Sequence, residues 1–132
     1  MKPLQPQGWK APVGYSNGIA ATGRLVFVAG QVGWNAAQVF ESEYLAPQFE
    51  QALKNVIAVL AEDGAGPEHV CRLTAYCCDK PAYLAARPEL GRIWRKHMGR
   101  HYPAMTMIFV SDLLDHPGKI ELEATAVIPE GA

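Results

Sequence analysis

The chain has 132 residues, of which 49% are apolar and 19% charged, and its formal net charge is −1. That length supports one domain, 1–132, with a real core, although the surface-to-volume ratio is poor and partner subunits would help. The balanced charge gives no electrostatic footprint for nucleic acid or for an anionic membrane. No apolar run reaches the roughly 18 residues of a membrane span. The N-terminal Met1-Lys2-Pro3-Leu4-Gln5-Pro6 lacks the apolar core of a secretory signal, so a cytoplasmic protein is expected.

Residues 1–13, with Pro3, Pro6 and Pro12, read as an irregular arm. Ile19 to Ala21 and Leu25 to Gln31 read as strands joined in a hairpin around Thr22-Gly23. Trp34 to Glu43 reads as a loop. Pro47 suits a first helical turn, where its missing N–H costs nothing. Phe49, Ala52, Leu53, Val56 and Leu60 follow on one helical face, and Gly64 or Gly66 ends that helix. Glu68 to Cys78 reads as a strand. Pro88 is expected to open a second helix with Leu90, Ile93, Trp94 and Met98 on one side and Arg92, Arg95 and Lys96 elsewhere, stopped by Gly99. Ala104 to Val110 and Lys119 to Ile128 read as the last strands, separated by a loop holding Asp115, Pro117 and Gly118. The order β-β-α-β-α-β-β predicts an α+β sandwich: one mixed sheet with two helices packed on one face.

Strand parity adds detail. Ile120, Leu122, Ala124, Ala126 and Ile128 share a face and should lie under the helices, which turns Glu121, Glu123, Thr125 and Val127 away from them. In the preceding strand Met105, Met107 and Phe109 oppose Ala104, Thr106, Ile108 and Val110, and both sets are largely apolar. Two helices cover only one sheet face, so the other needs a cover; a homo-oligomer with ligand clefts between subunits follows. The three cysteines, Cys71, Cys77 and Cys78, form no C-x-x-C pair and read as reduced thiols, with Asp79 disfavouring a catalytic role. His97 and His116 lack partners at ligand spacing, so neither a metal nor another cofactor is expected. The basic face of the second helix is a weak RNA signal without aromatic interleaving.

Several segments resemble the Rid (YjgF-like, L-PSP) proteins. Gly14-Tyr15-Ser16-Asn17-Gly18 resembles their P-Y-S-Q-G, and Val26-Phe27-Val28-Ala29-Gly30-Gln31 their strand ending in S-G-Q. Gln48 to Asn55-Val56 resembles their Q-x6-N-V, and Val70 to Asp79 their central strand. Tyr102-Pro103-Ala104 and Ile120-Glu121-Leu122-Glu123-Ala124 resemble F-P-A-R and I-E-I-E-A. The resemblance runs from about Pro12 to Ile128. It implies a chorismate-mutase-like fold, a homotrimer with a cleft at each subunit interface and, for the best-known branch, hydrolysis of 2-enamines and 2-imines to 2-keto acids and ammonia. It also implies that Glu121 positions the attacking water and that Tyr15 lines the pocket, with Gln31 closing the matching strand. The family's carboxylate-clamping arginine falls at Met105 and its common cysteine at Met107, so the chain resembles an arginine-lacking branch.

The candidate site is therefore Glu121 as the catalytic residue, with Tyr15, Gln31, Trp34, Met105 and Met107 binding a small-molecule ligand. Met105 and Met107 read either as packed subunit core or as an adaptable apolar wall for a neutral or aromatic ligand. Tyr15 and Trp34 read as stacking surface or as seam packing. Glu121 reads as a solvated or ion-paired strand residue, or as a general acid–base raised in pKa by desolvation beside the methionines. Glu123 shares its face. Arg100 and His101 either replace the missing charge or form a solvated helix end. The favoured function is a trimeric imine or enamine hydrolase; the alternative is a non-catalytic binding trimer, and an endoribonuclease is the least favoured.

Overall fold

The computed structural model describes residues 1–131. Helix α1 (Leu45–Ala61) forms where the apolar spacing places it, with Ala52, Leu53, Val56 and Leu60 almost wholly buried. The turn that follows it reaches Gly64, whose φ of +75° suits a residue without Cβ. Beneath it a four-stranded sheet runs in the order β3 (Arg24–Val32), β6 (Ile120–Ile128), β4 (Val70–Cys77), β5 (Ala104–Phe109). The β4–β5 pair is parallel and the β3–β6 and β4–β6 pairs antiparallel, so the sheet is mixed. Strand β6 lies inside the sheet and keeps strict alternation: Ile120, Leu122, Ala124, Ala126 and Ile128 are buried, and the residues between them half-buried.

Three local expectations need correction. The N-terminal arm contains a strand, β1 (Lys2–Leu4), which pairs antiparallel with β2 (Gly18–Ala20). The proposed hairpin does not form, because β2 takes β1 as its partner while β3 pairs with β6. Gly23 serves instead for close passage: a Cβ there would lie 2.0 Å from the Ile128 carbonyl oxygen, and its φ is +151°. Helix α2 (Lys80–Met98) opens eight residues before Pro88, which lies inside it. Asp79 provides the start, its carboxylate accepting from the Ala82 N–H at 3.0 Å, with Pro81 in the first turn. The missing N–H of Pro88 removes one helical bond, and the buried Leu90, Ile93, Trp94 and Met98 keep the element in place. Gly99 ends it at a φ of +64°.

Polar side chains tie these layers together. Gln48 is 1% exposed; its amide N–H group donates to the Ser42 and Pro117 carbonyls at 3.0 and 3.1 Å, and its oxygen accepts from the Lys119 N–H at 2.7 Å. Asn55, two turns on, donates to the Val32 and Trp34 carbonyls. The Q-x6-N spacing thus fastens α1 to the start of β6 and the end of β3. Glu50 joins the helices through Lys96 and His97 at 3.0 and 2.7 Å, and these donors hold its carboxyl below the usual range.

Both helices lie on one side of the sheet, and the other side carries exposed apolar groups. Phe27 is 74% exposed, Leu25 56% and Ile108 40%. Among the described residues no helix is long and apolar enough to cross a membrane.

Candidate functional site

Cross-strand partners point to the same side of a sheet. Met105 pairs with Leu73 and Met107 with Ala75, while Leu73 and Ala75 pair with Ala124 and Leu122 of the buried β6 face. Met105 and Met107 therefore lie on the helix side. Glu121 pairs with Tyr76 on the opposite side. This corrects the expectation of one shared face: Glu121 does not stand beside the methionines within a chain. The apolar character of both faces of β5 hides its orientation until the β4 register fixes it.

The methionines line a cleft of about 510 Å³ between β5 and α2. Tyr15 joins them at its mouth. The Ser16 N–H donates to the Pro103 carbonyl at 3.0 Å and its hydroxyl to the Tyr102 carbonyl, so the Gly14–Asn17 segment is held against the start of β5. Trp94 and Tyr102 stack with centroids 6.2 Å apart and supply an aromatic wall, while the Trp94 indole N–H donates to the His101 carbonyl at 3.1 Å. Arg87 and Arg95 of α2 also line this space.

The other half of the predicted site is built around Glu121. A Cβ on Gly30 would lie 2.0 Å from the Glu121 Oε2, so this glycine gives the carboxylate room against the β3 backbone. Burial raises the Glu121 pKa, and the neighbouring carboxylates of Asp115 and Glu123 raise it further. Glu121 forms no ion pair among the described residues. Glu123 accepts a hydrogen bond from the Tyr76 hydroxyl at 2.6 Å, which pushes the phenol pKa up. The two glutamates are thus unlike: one is engaged by a tyrosine, the other desolvated and held over a glycine.

The remaining predicted residues disperse. Gln31 lies opposite Leu122 in β3, at the far edge from β5, with its side-chain amide donating to the Ala29 carbonyl at 3.1 Å. Trp34 packs against Phe40, centroids 5.7 Å apart, outside the methionine cleft. Arg100 and His101 line a neighbouring hollow, and the His101 Nε2 donates to the Val70 carbonyl at 2.6 Å. They put no charge beside Met105. Burial raises the thiol pKa values of Cys71 and Cys77, which keeps both protonated near neutrality. Sequence reasoning missed Gly30, Tyr76, Arg87, Tyr83 and Tyr102 as site residues; the available signals were the S-G-Q-like segment for Gly30 and the Tyr102-Pro103-Ala104 run for Tyr102.

Helices on one face of this mixed sheet, with a cleft along α2, define an α+β protein of the Rid type. The family profile described as Endoribonuclease L-PSP matches residues 7–128. A RutC family protein of Synechocystis sp. is 31% identical over 132 residues, with 98% of each chain covered. A conserved Rid-family protein of unknown function from Yersinia pestis superposes with a TM-score of 0.84 at 33% identity, covering 96% of this chain and 98% of that one. A YjgF-family protein of Mycobacterium tuberculosis follows with a TM-score of 0.65 at 28% identity and 88% coverage of each chain. The chain belongs to the L-PSP (YjgF, Rid) family.

Proposed function

We propose that this protein is a hydrolytic deaminase acting on the C–N bond of a small imine or enamine, and that it works as a homotrimer. The carrying observation is Glu121: a desolvated, unpaired carboxylate of raised pKa, given its seat by Gly30. Such a group takes a proton from water efficiently at neutral pH. In the reaction the Glu121 carboxylate accepts that proton while the water oxygen bonds to the C=N carbon. The protonated carboxyl then returns a proton to nitrogen, and the carbinolamine collapses to a C=O group and ammonia. An enamine first tautomerises to the imine.

Glu121 and the Tyr15–Met105–Met107 cleft face opposite sides of one chain's sheet. A single ligand reaches both only when one subunit contributes the cleft and Glu121 comes from the partner subunit. The exposed Phe27, Leu25 and Ile108 on the Glu121 face support that arrangement, since a second copy would cover them. Met105 offers no charge for a carboxylate, so small 2-aminoacrylate-type imines should turn over poorly. The test is Glu121→Gln assayed for ketone and ammonia release from a panel of imines generated in situ. A loss of about 10²–10⁴-fold in kcat is expected. Undiminished turnover would remove Glu121 from the chemistry.

A further inference from the structure

The β5 wall of the cleft is apolar at Met105 and Met107, but the α2 wall is not. Tyr83, Arg87, Gly91 and Arg95 fall at four-residue spacing, which brings them onto one stripe of the helix, and all of them line the cleft. Gly91 matters by having no side chain. A Cβ there would meet only the Arg95 Nη1, at 3.4 Å, so the Arg95 guanidinium folds back along the stripe toward the turn that carries Arg87. Neither arginine pairs with a carboxylate among the described residues, whereas adjacent Lys96 is held by Glu50 at 3.0 Å. No Asp or Glu lines the cleft. Its charge is thus purely cationic, set against aromatic walls.

We propose that Arg87 and Arg95 form the anion-recognition end of this cleft and take over, from the helix, the charge that Met105 does not supply. The ligand is then a carboxylate with an aromatic or branched apolar body. Planar guanidinium groups match a carboxylate with paired N–H···O bonds. The stacked Trp94 and Tyr102 rings and the methionines suit the body. A volume of about 510 Å³ fits a ligand of that size and leaves a three-carbon acid poorly enclosed. This rests on the cleft being the ligand half of the proposed site, and it narrows the substrate to an imine derived from a bulky amino acid.

Binding separates this idea from the hydrolase reading. Calorimetric titration of the intact protein with 3-phenylpropionate, its neutral amide 3-phenylpropionamide, and propionate should rank the acid first, by about tenfold over the amide. The Arg87→Gln/Arg95→Gln variant should lose about tenfold for 3-phenylpropionate and nothing for the amide. Both arginines are exposed, so the variant is expected to fold. Gly91→Leu, which fills the notch, should weaken acid and amide alike. Equal affinity for acid and amide, no binding of either, or full acid affinity in the double variant would overturn the inference. Glu121→Gln should keep 3-phenylpropionate affinity while losing turnover; if it kept both, the hydrolase reading would fall and the anion site would stand.

Discussion

Replacing Gly30 by alanine tests the position of the Glu121 carboxylate without touching the glutamate itself. The Gly30 φ lies outside the left-handed range, so alanine suits the backbone. Its Cβ would stand 2.0 Å from the Glu121 Oε2, 2.9 Å from Cδ and 3.2 Å from Cγ. An ordinary carbon–oxygen contact requires the oxygen to retreat by roughly 1 Å or more, given the close-packing limits of protein interiors. The obstructing atom is the end of a flexible side chain, so rotation relieves the clash at a cost of about 0.5–1.5 kcal/mol. The fold should survive. A displacement of about 1 Å at a catalytic group costs about 10²-fold in rate. Gly30→Ala should therefore melt within a few degrees of the parent and turn over imines about a hundredfold more slowly. Full activity with an unchanged melt would show that the seat is irrelevant to chemistry, and loss of the fold would make Gly30 a structural residue only.

Glu121→Gln should also change stability, with a definite sign. The folded-state pKa of Glu121 is raised above its ordinary value of 4.5, so its favourable contribution is full below that value and is lost as pH rises through the folded pKa. The glutamine variant should melt higher than the parent at pH 8, with the difference closing as the pH falls below about 4.5; a parent that is the more stable at pH 8 would contradict the desolvation argument. Gln48→Leu strands three part-buried backbone partners and should cost about 3 kcal/mol in chemical denaturation, whereas a cost under about 1 kcal/mol would mean that water replaces the amide. Phe27→Glu, on the uncovered sheet face, should shift sedimentation from the proposed trimer toward monomer, and an unaltered assembly would move the interface elsewhere.

What could be read from sequence was set by how local the deciding interaction is. The burial of β6 was legible because Ile, Leu and Ala alternate with Glu and Thr at period two, and only one face of such a strand can be buried. Helix α1 was legible through its apolar stripe. The start of α2 was not, because Pro81 and Pro88 both satisfy the rule for a first-turn proline, and only the capping bond of Asp79 distinguishes them. The partner of β2 was hidden for a different reason: it lies in the N-terminal arm, where prolines mask a short strand.

The same limit governs the site. Met105, on a strand largely apolar on both faces, carries no mark of which face it serves, and its placement follows only from pairing with Leu73 across a parallel contact 32 positions apart in sequence. Once that register is fixed, Met105 leaves the surroundings of Glu121 and enters those of Arg87 and Arg95. Judged along its own strand, the methionine offers none of the charge that an anionic ligand needs. Judged across the cleft, it is the apolar wall facing a cationic one, and the ligand preference proposed above rests on α2 as much as on β5. In the reading proposed above, the methionine at 105 bears on the shape of the ligand and the arginine stripe on its charge, and the two are separable by mutation because they sit on different elements.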